Sequence, residues 1–255
     1  MHTRLIEIDE LTEDLRDALD MAPLEVREAF HRNFDYSWIH HENALEGVVL
    51  TYPEIHGART QSVITDLANF TLYKKIRANF EALEMVRRES ESKRFRFTIS
   101  LFQTFYENLY LGMDRDKGKY RRDIPLHRTY FHEILAPEKI ADHLNKLVQD
   151  VTKSDFKNLH PLEQAAYFGY HFMRVFPWSE ASGMVGRLMS NILLMRASYF
   201  PVVIHEQDRE QYYGCLKANS WIPLRDMLAE SMQNSLTNSL EMLRSIEEAR
   251  AEQAG

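Results

Sequence analysis

The sequence predicts a mainly α-helical protein with one small β-hairpin. Three observations carry that expectation. Apolar residues recur at spacings of three and four in several separate segments, the mark of helices that turn one face to a core. Only 9 glycines and 8 prolines are spread over 255 residues, and no Gly/Ser/Pro-rich linker divides them, so a compact helical body follows. A single region, between Lys119 and Pro137, changes to short β-prone pieces.

In chain order, residues 66–86 place Leu67, Phe70, Tyr73, Ile76, Phe80 and Leu83 on one helical face, read as a core stripe. Residues 98–112 repeat the pattern with Ile99, Phe102, Phe105, Tyr106, Leu109 and Leu111, and Thr98 is placed to cap that helix. Ile124-Pro125-Leu126 and Thr129-Tyr130-Phe131 suit the two arms of the hairpin. Residues 161–175 return to helical period, with Leu162, Ala165, Ala166, Gly169, Phe172 and Phe176 on one stripe whose small members permit close helix approach. Val185, Leu188, Met189, Ile192 and Leu193 make the next buried stripe. Leu224 to Ala251 is amphipathic and runs into a charged end, Glu247 to Gln253, which reads as a solvated or fraying terminus. The expected division is an N-terminal helical segment at 1–34, a central domain at 35–225 and a C-terminal helix at 226–255.

With 44% hydrophobic and 27% charged residues, the balance is that of an ordinary globular protein. A net charge of −7 gives no electrostatic reason for nucleic acid or an anionic membrane as partner. The lone Cys215 has neither a disulfide partner nor zinc-ligand spacing around it. The first ten residues turn acidic before an apolar run develops, and no uncharged run approaches the ~18–20 residues of a membrane span, so a cytoplasmic protein is expected. His127 and His132 are five apart, a poor spacing for sharing a metal, and no His-Glu-x-x-His occurs. His40, His41 and His171 read as surface side chains, and the basic residues at 87–96 are interrupted by Glu89 and Glu91.

The most informative stretch is Phe176-Pro177-Trp178-Ser179-Glu180-Ala181-Ser182-Gly183-Met184-Val185-Gly186-Arg187. It resembles the signature loop of the Fic family, His-Pro-Phe-x-Asp/Glu-Gly-Asn-Gly-Arg-x-x-Arg. Pro177, Glu180, Gly183 and Arg187 match, while Phe176 stands at the catalytic histidine position, Ser182 at the asparagine and Met184 at the first arginine. The likeness extends on both sides. His160-Pro161-Leu162 through Tyr167 resembles the opening of the preceding helix, and Gly118-Lys119-Tyr120-Arg121 the entry to the target-binding hairpin, or flap. Leu45-Glu46-Gly47 followed by Leu50-Thr51-Tyr52-Pro53-Glu54-Ile55 resembles the family's inhibitory-helix signature, with Glu46 as the inhibitory glutamate and Glu42 where a serine stands. The resemblance covers roughly residues 35 to 225 and implies a Fic-like helical bundle with a small β-hairpin flap.

In the family, the histidine deprotonates a target hydroxyl that attacks the α-phosphate of a nucleotide while loop amides hold the phosphates. Phenylalanine cannot accept a proton, and base catalysis is worth roughly 10²–10⁴-fold. Standard AMP transfer is therefore not expected. The backbone at Ala181-Ser182-Gly183 still offers unpaired N–H groups and the positive end of a helix dipole, and Ser182 is a candidate cap. The resemblance puts a divalent metal at Glu180 and a terminal phosphate at Arg187, with magnesium expected only alongside a nucleotide or phosphate. Without a ligand, Arg187 pairs with an acid, and Glu46 is the one the resemblance names.

Three functions remain open on this evidence. One is a binding or regulatory module for a nucleotide-like or other small ligand, seated on Ser182, Gly183, Arg187, Phe176, Trp178 and Met184, with a protein target at the flap, 119–137. Another is a divergent enzyme running a different transfer or elimination through Glu180, Ser182 or His171. The third is a scaffold whose cleft is plugged by Phe176, Trp178 and Met184. Whether an open pocket lies beside Ser182 and Arg187 separates them.

Overall fold

The computed structural model describes residues 1–61, 67–110, 118–125 and 132–254. In chain order its helices are α1 (His2–Met21), α2 (Leu24–Leu45), α3 (Tyr52–Thr60), α4 (Leu67–Glu91), α5 (Ile99–Leu109), α6 (Ile140–Asp150), α7 (Ser154–Lys157), α8 (Pro161–Val175), α9 (Ser182–Arg196), α10 (Arg209–Lys217) and α11 (Ile222–Ala254). Local chemistry fixes several starts. Thr51 and Glu54 form a reciprocal capping box at α3, and Thr98 Oγ1 accepts the Leu101 amide at 3.0 Å to open α5. At α8 the His160 ring accepts the Leu162 amide while Glu163 reaches back to the His160 N–H, and Pro161 supplies the first helical residue.

Helices α8 and α9 are the central pair, and glycine brings them close. A methyl added at Gly186 would lie 2.9 Å from the Phe172 ring, and one at Gly169 would lie 3.0 Å from Ser190 Oγ. Around this pair the apolar side chains sort into two cores. One gathers Trp38, Ile76, Phe102, Phe105, Phe168, Phe172 and their neighbours between α2, α4, α5, α8 and α9. The other joins α1, α10 and α11 to the opposite side of α8 through Leu15, Phe30, Met173, Met232 and Leu236. On α5 and α8 the rings of Phe102, Phe168 and Phe172 lie 5.5–5.7 Å apart, which adds aromatic geometry to simple burial.

The mainly helical expectation holds, and the stripes on α8 and α9 are buried throughout. Two details differ. Phe70 lies on the α4 stripe yet is 53% exposed, because it sits in the first turn beyond the reach of the core. No strand occurs among the described residues, so the hairpin flap is not seen: 118–125 and 132–136 are turns and extended chain. Leu126, Thr129, Tyr130 and Phe131, as well as His127 and Leu111, lie outside the described residues. The 34/35 boundary falls inside α2, which runs unbroken to Leu45.

The α8–α9 approach gives a direct expectation. Gly186→Ala forces its methyl into the Phe172 ring and should cost ~1–3 kcal/mol, read as a lower urea midpoint with an unchanged slope. An unchanged midpoint would mean the two helices are not in close register here.

Candidate functional site

The loop between α8 and α9 is held in a bent form by its own backbone and by one arginine. Phe176 ends α8 in the left-handed region (φ 45°, ψ 66°), with its N–H still donating to Phe172 O at 2.8 Å. Ala181 repeats that conformation at φ 58° just before α9. Neither is glycine, so each carries strain of order 1–3 kcal/mol that its surroundings must hold in place. Arg121 supplies much of that hold. Its side chain is buried and donates to the carbonyls of Phe176 at 2.7 Å and Val175 at 3.2 Å, and also to Leu135 O. Its backbone N–H donates to Pro177 O at 2.9 Å. A fixed cation at the C-terminal end of α8 also complements that helix's dipole.

The side chains of the loop point inward. Phe176 is fully buried in the second core, edge-on to the His132 ring. Trp178 lies flat on Tyr106 with ring centroids 4.3 Å apart, and Met184 is buried in the first core. Ser182 does not cap α9 as its position suggested. Its hydroxyl accepts the Trp178 N–H at 2.8 Å and donates to Trp178 O at 2.7 Å, closing the loop on itself. Both hydroxyl functions are thus spent inside a fully buried turn.

Arg187, one turn into α9, is the charged centre. Its Nε donates to Glu42 Oε2 at 2.8 Å and its Nη2 to Glu46 Oε1 at 2.9 Å. The Glu46 contact is the one expected from the sequence; the stronger buried partner, Glu42, was there recognised only as a departure from the family pattern. Tyr212 lies below the guanidinium, 5.7 Å from its centre. Nη1 makes no hydrogen bond among the described residues. Gly183 is what lets Glu46 come this close: a β-carbon there would stand 2.1 Å from Glu46 Oε1.

The end of α2 is built to present both acids. Glu46 is the C-cap, and Gly47 follows at φ +85°, a conformation glycine adopts without steric cost. Gly47 N–H donates to Ala44 O and Val48 N–H to Asn43 O, each at 2.9 Å, the bond pair of a Schellman end. Arg209 and Tyr213 donate to Leu45 O, and Asn43 ties the helix to Asn79 of α4.

Burial pushes the Glu42 carboxyl above its ordinary 4.5, against the opposing pull of Arg187. Burial also works against the charge on Arg187, but Glu42 and Glu46 outweigh it and hold the guanidinium protonated. The two shifts are consistent because two carboxylates share one guanidinium. Lys75 adds a second positive charge nearby: burial lowers its pKa, while Glu46 and Glu180 raise it.

The structure therefore brings Glu42, Glu46, Gly183 and Arg187 together, while Phe176, Trp178, Ser182 and Met184 are buried in the loop and its flanking cores. Glu180 is exposed at the loop's outer edge, toward Lys75. No metal-ligand cluster occurs among the described residues. His171 is not part of the site. It is half-buried rather than exposed, and it faces α6 in a separate cleft. Arg187 lines a narrow pocket of about 20 Å³ beside Ser190, Asn191 and Tyr212, and Ser182 is fully buried. Arg121 was legible only as part of the flap entry. Its partners are backbone carbonyls, which leave no complementary residue in the sequence to find.

A buried loop between two close helices, sealed by an acid from α2, defines a Fic-type helical fold, and comparison with known proteins agrees. Residues 96–194 match the family model described as Fic/DOC family. Over 192 residues the chain is 27% identical to a Nematostella vectensis protein named Protein adenylyltransferase Fic, covering 75% of this chain and 43% of that one. Over 217 residues it is 25% identical to the protein of that name from Drosophila grimshawi, covering 84% and 44%. The chain thus spans less than half the length of these relatives. A Fic domain containing signaling protein from Bacteroides thetaiotaomicron superposes with a TM-score of 0.77 at 22% identity, over 94% of this chain and 98% of that one. Fic-1 from C. elegans gives 0.77 at 17% identity, over 94% and 71%. Residues 96–194 of this chain are thus similar to the Fic/DOC family, and the helical fold is that of the Fic-domain structures.

The raised carboxyl at Glu42 has a testable sign. A group whose folded pKa is raised contributes stability that is complete below its unfolded value and lost as pH rises through the folded value. Glu42→Gln keeps an acceptor for Arg187 Nε without the charge. The stability of wild type relative to Glu42→Gln should fall as pH rises from 4.5, measured by urea denaturation at successive pH values. A difference that grows with pH would mean Glu42 is an ordinary, favourably ionised partner. Arg187→Met, by contrast, strands two carboxylates and should cost ~3–5 kcal/mol at neutral pH.

Proposed function

We propose that this chain has lost standard AMP transfer and works as a binding or regulatory module, in which loop 180–187 takes a phosphate-bearing or other small anionic ligand when Glu46 leaves. The supporting observation is the position of the Glu46 carboxylate against the Cα of Gly183, in the first turn of α9. A helix start presents unpaired N–H groups and a positive dipole end, which suit an anion whatever its source. Here the chain's own carboxylate takes that position, so a ligand anion would compete with Glu46 for the same donors and for Arg187.

The names of the relatives concern adenylyl transfer, and the reading departs from them at one atom. Where the family places its base, Phe176 offers only a buried hydrocarbon ring. Nothing at that position can take a proton from an attacking hydroxyl. Met184 likewise supplies no charge where an arginine would hold phosphate. Glu180 at the open edge is the carboxylate that would carry magnesium if the ligand were a nucleotide.

Incubation with ATP, magnesium and a generic protein target should give no label on the chain or the target, and Phe176→His alone should not restore it. Labelling by wild type at the rate of an intact Fic protein would overturn the loss of transfer. In a thermal-shift series with ADP and ATP, Glu46→Gly should enlarge the ligand-induced rise in Tm and Arg187→Ala should shrink it. If neither substitution alters the response, Phe176, Trp178 and Met184 plug the cleft and the chain is a scaffold.

A further inference from the structure

A second cleft lies on the far face of α8, between it and α6. On α6, His143 and Lys146 are three residues apart, and on α8, His171 and Arg174 are three apart, so each pair shares one helical face. All four line a cleft of about 280 Å³, together with Asp150 and Tyr167. Its apolar floor is Leu135, Leu147 and Val175. This concentration of basic groups runs against a net charge of −7 for the chain.

The positive charge is only partly balanced locally. Asp150 is the acid lining the cleft, and Lys153 already donates to it at 2.5 Å, with the Tyr167 hydroxyl at 3.5 Å. Arg174 donates to the Tyr170 hydroxyl at 3.1 Å and reaches Glu133 at 3.5 Å, and Glu133 is 84% exposed, so the ion pair is screened by water. Lys146 makes no ion pair among the described residues, and it adds to the positive field on His171. His143 donates from Nδ1 to Lys139 O at 2.9 Å, since a carbonyl can only accept. Its Nε2 is the ring nitrogen left outside that bond. Burial does most to disfavour a charge on His171, Asp150 opposes it, and Arg174 and Lys146 add to it. A bound anion would favour the charged ring.

From this convergence of His143, Lys146, His171 and Arg174 over an apolar floor, we propose that the α6–α8 cleft binds a small organic phosphomonoester. Two mobile or forked cations suit a compact dianion, and the Leu135–Leu147–Val175 floor with the Tyr167 ring receives the organic group. The volume lies just below the ~300 Å³ at which drug-sized pockets begin, which suits a phosphate with a small substituent. His143, Lys146, His171 and Arg174 lie outside the loop and the Arg187 cluster, so substitutions there test this cleft separately.

The test is a ¹H–¹⁵N titration of the full chain at pH 7 and constant ionic strength, with phenyl phosphate, inorganic phosphate and chloride as probes. Amides of 143–150 and 167–175 should shift with phenyl phosphate, which should bind several-fold more tightly than inorganic phosphate. Lys146→Glu, at an exposed position where folding is readily checked by circular dichroism, should weaken phenyl phosphate about tenfold. Lys146→Ala should weaken it less. The proposal is overturned by shifts confined to 182–187, by equal binding of phenyl phosphate and inorganic phosphate, by a response matched by chloride, or by a Kd indifferent to Lys146→Glu.

Discussion

The fold and the site both depend on a single buried cross-link, the guanidinium of Arg187 held by Glu42 at Nε and Glu46 at Nη2. It joins the first turns of α9 to the end of α2, elements about 140 residues apart in the chain. Taking three charged groups out of water is expensive, and such clusters often add little net stability compared with a well-packed apolar core. Their stronger effect is to exclude alternatives: any other placement of α2 would leave Arg187 or two carboxylates buried without partners. The surrounding devices follow from that demand. Gly183 clears the space for a carboxylate, Gly47 ends the helix at the right residue, and Arg209 and Tyr213 hold the Leu45 carbonyl that precedes the pair.

The same logic explains why the loop can lack its reactive side chains and keep its shape. The bends at Phe176 and Ala181 are backbone features, held by Arg121 on three carbonyls and by Ser182 on Trp178. None of those contacts needs a histidine at 176. A phenyl ring there gains burial in the α1–α8–α11 core, whereas a histidine would need a polar partner among apolar neighbours. The scaffold of the loop and its chemistry are thus carried by different atoms.

What could be read from the residues alone follows from how local each signal is. The stripes of α8 and α9 were legible because a 3.6-residue period repeats over a dozen positions, and the Thr98 cap because it needs only the next three residues. The Glu46–Arg187 contact was legible through resemblance alone, since no spacing rule links positions so distant. Ser182 was misread as a helix cap because that role depends on which backbone amide is nearest, and the tight turn at Trp178 offers one first. Phe70 was misread because periodicity marks a face without saying how far along the helix the core extends. His171 was placed at the surface since the stripe of α8 excludes it, whereas α6, separate in sequence but adjacent in space, half-covers it.

The two acids on Arg187 are not equivalent, and the difference bears on how a ligand could enter. Glu42 lies within the body of α2, its side chain 5% exposed and enclosed by its neighbours. Glu46 is the cap residue itself, 12% exposed, with a glycine immediately after it. A rotation there breaks no intrahelical bond. If an anion displaced only Glu46, Arg187 would keep Glu42 and so stay neutralised on one side while its other edge exchanged one carboxylate for another acceptor. The cost of opening is then the difference between two charge-assisted contacts rather than the full ~3–5 kcal/mol of a stranded buried charge. Glu42 makes that arrangement possible, because a hydroxyl at that position could not hold the guanidinium's charge while Glu46 was away.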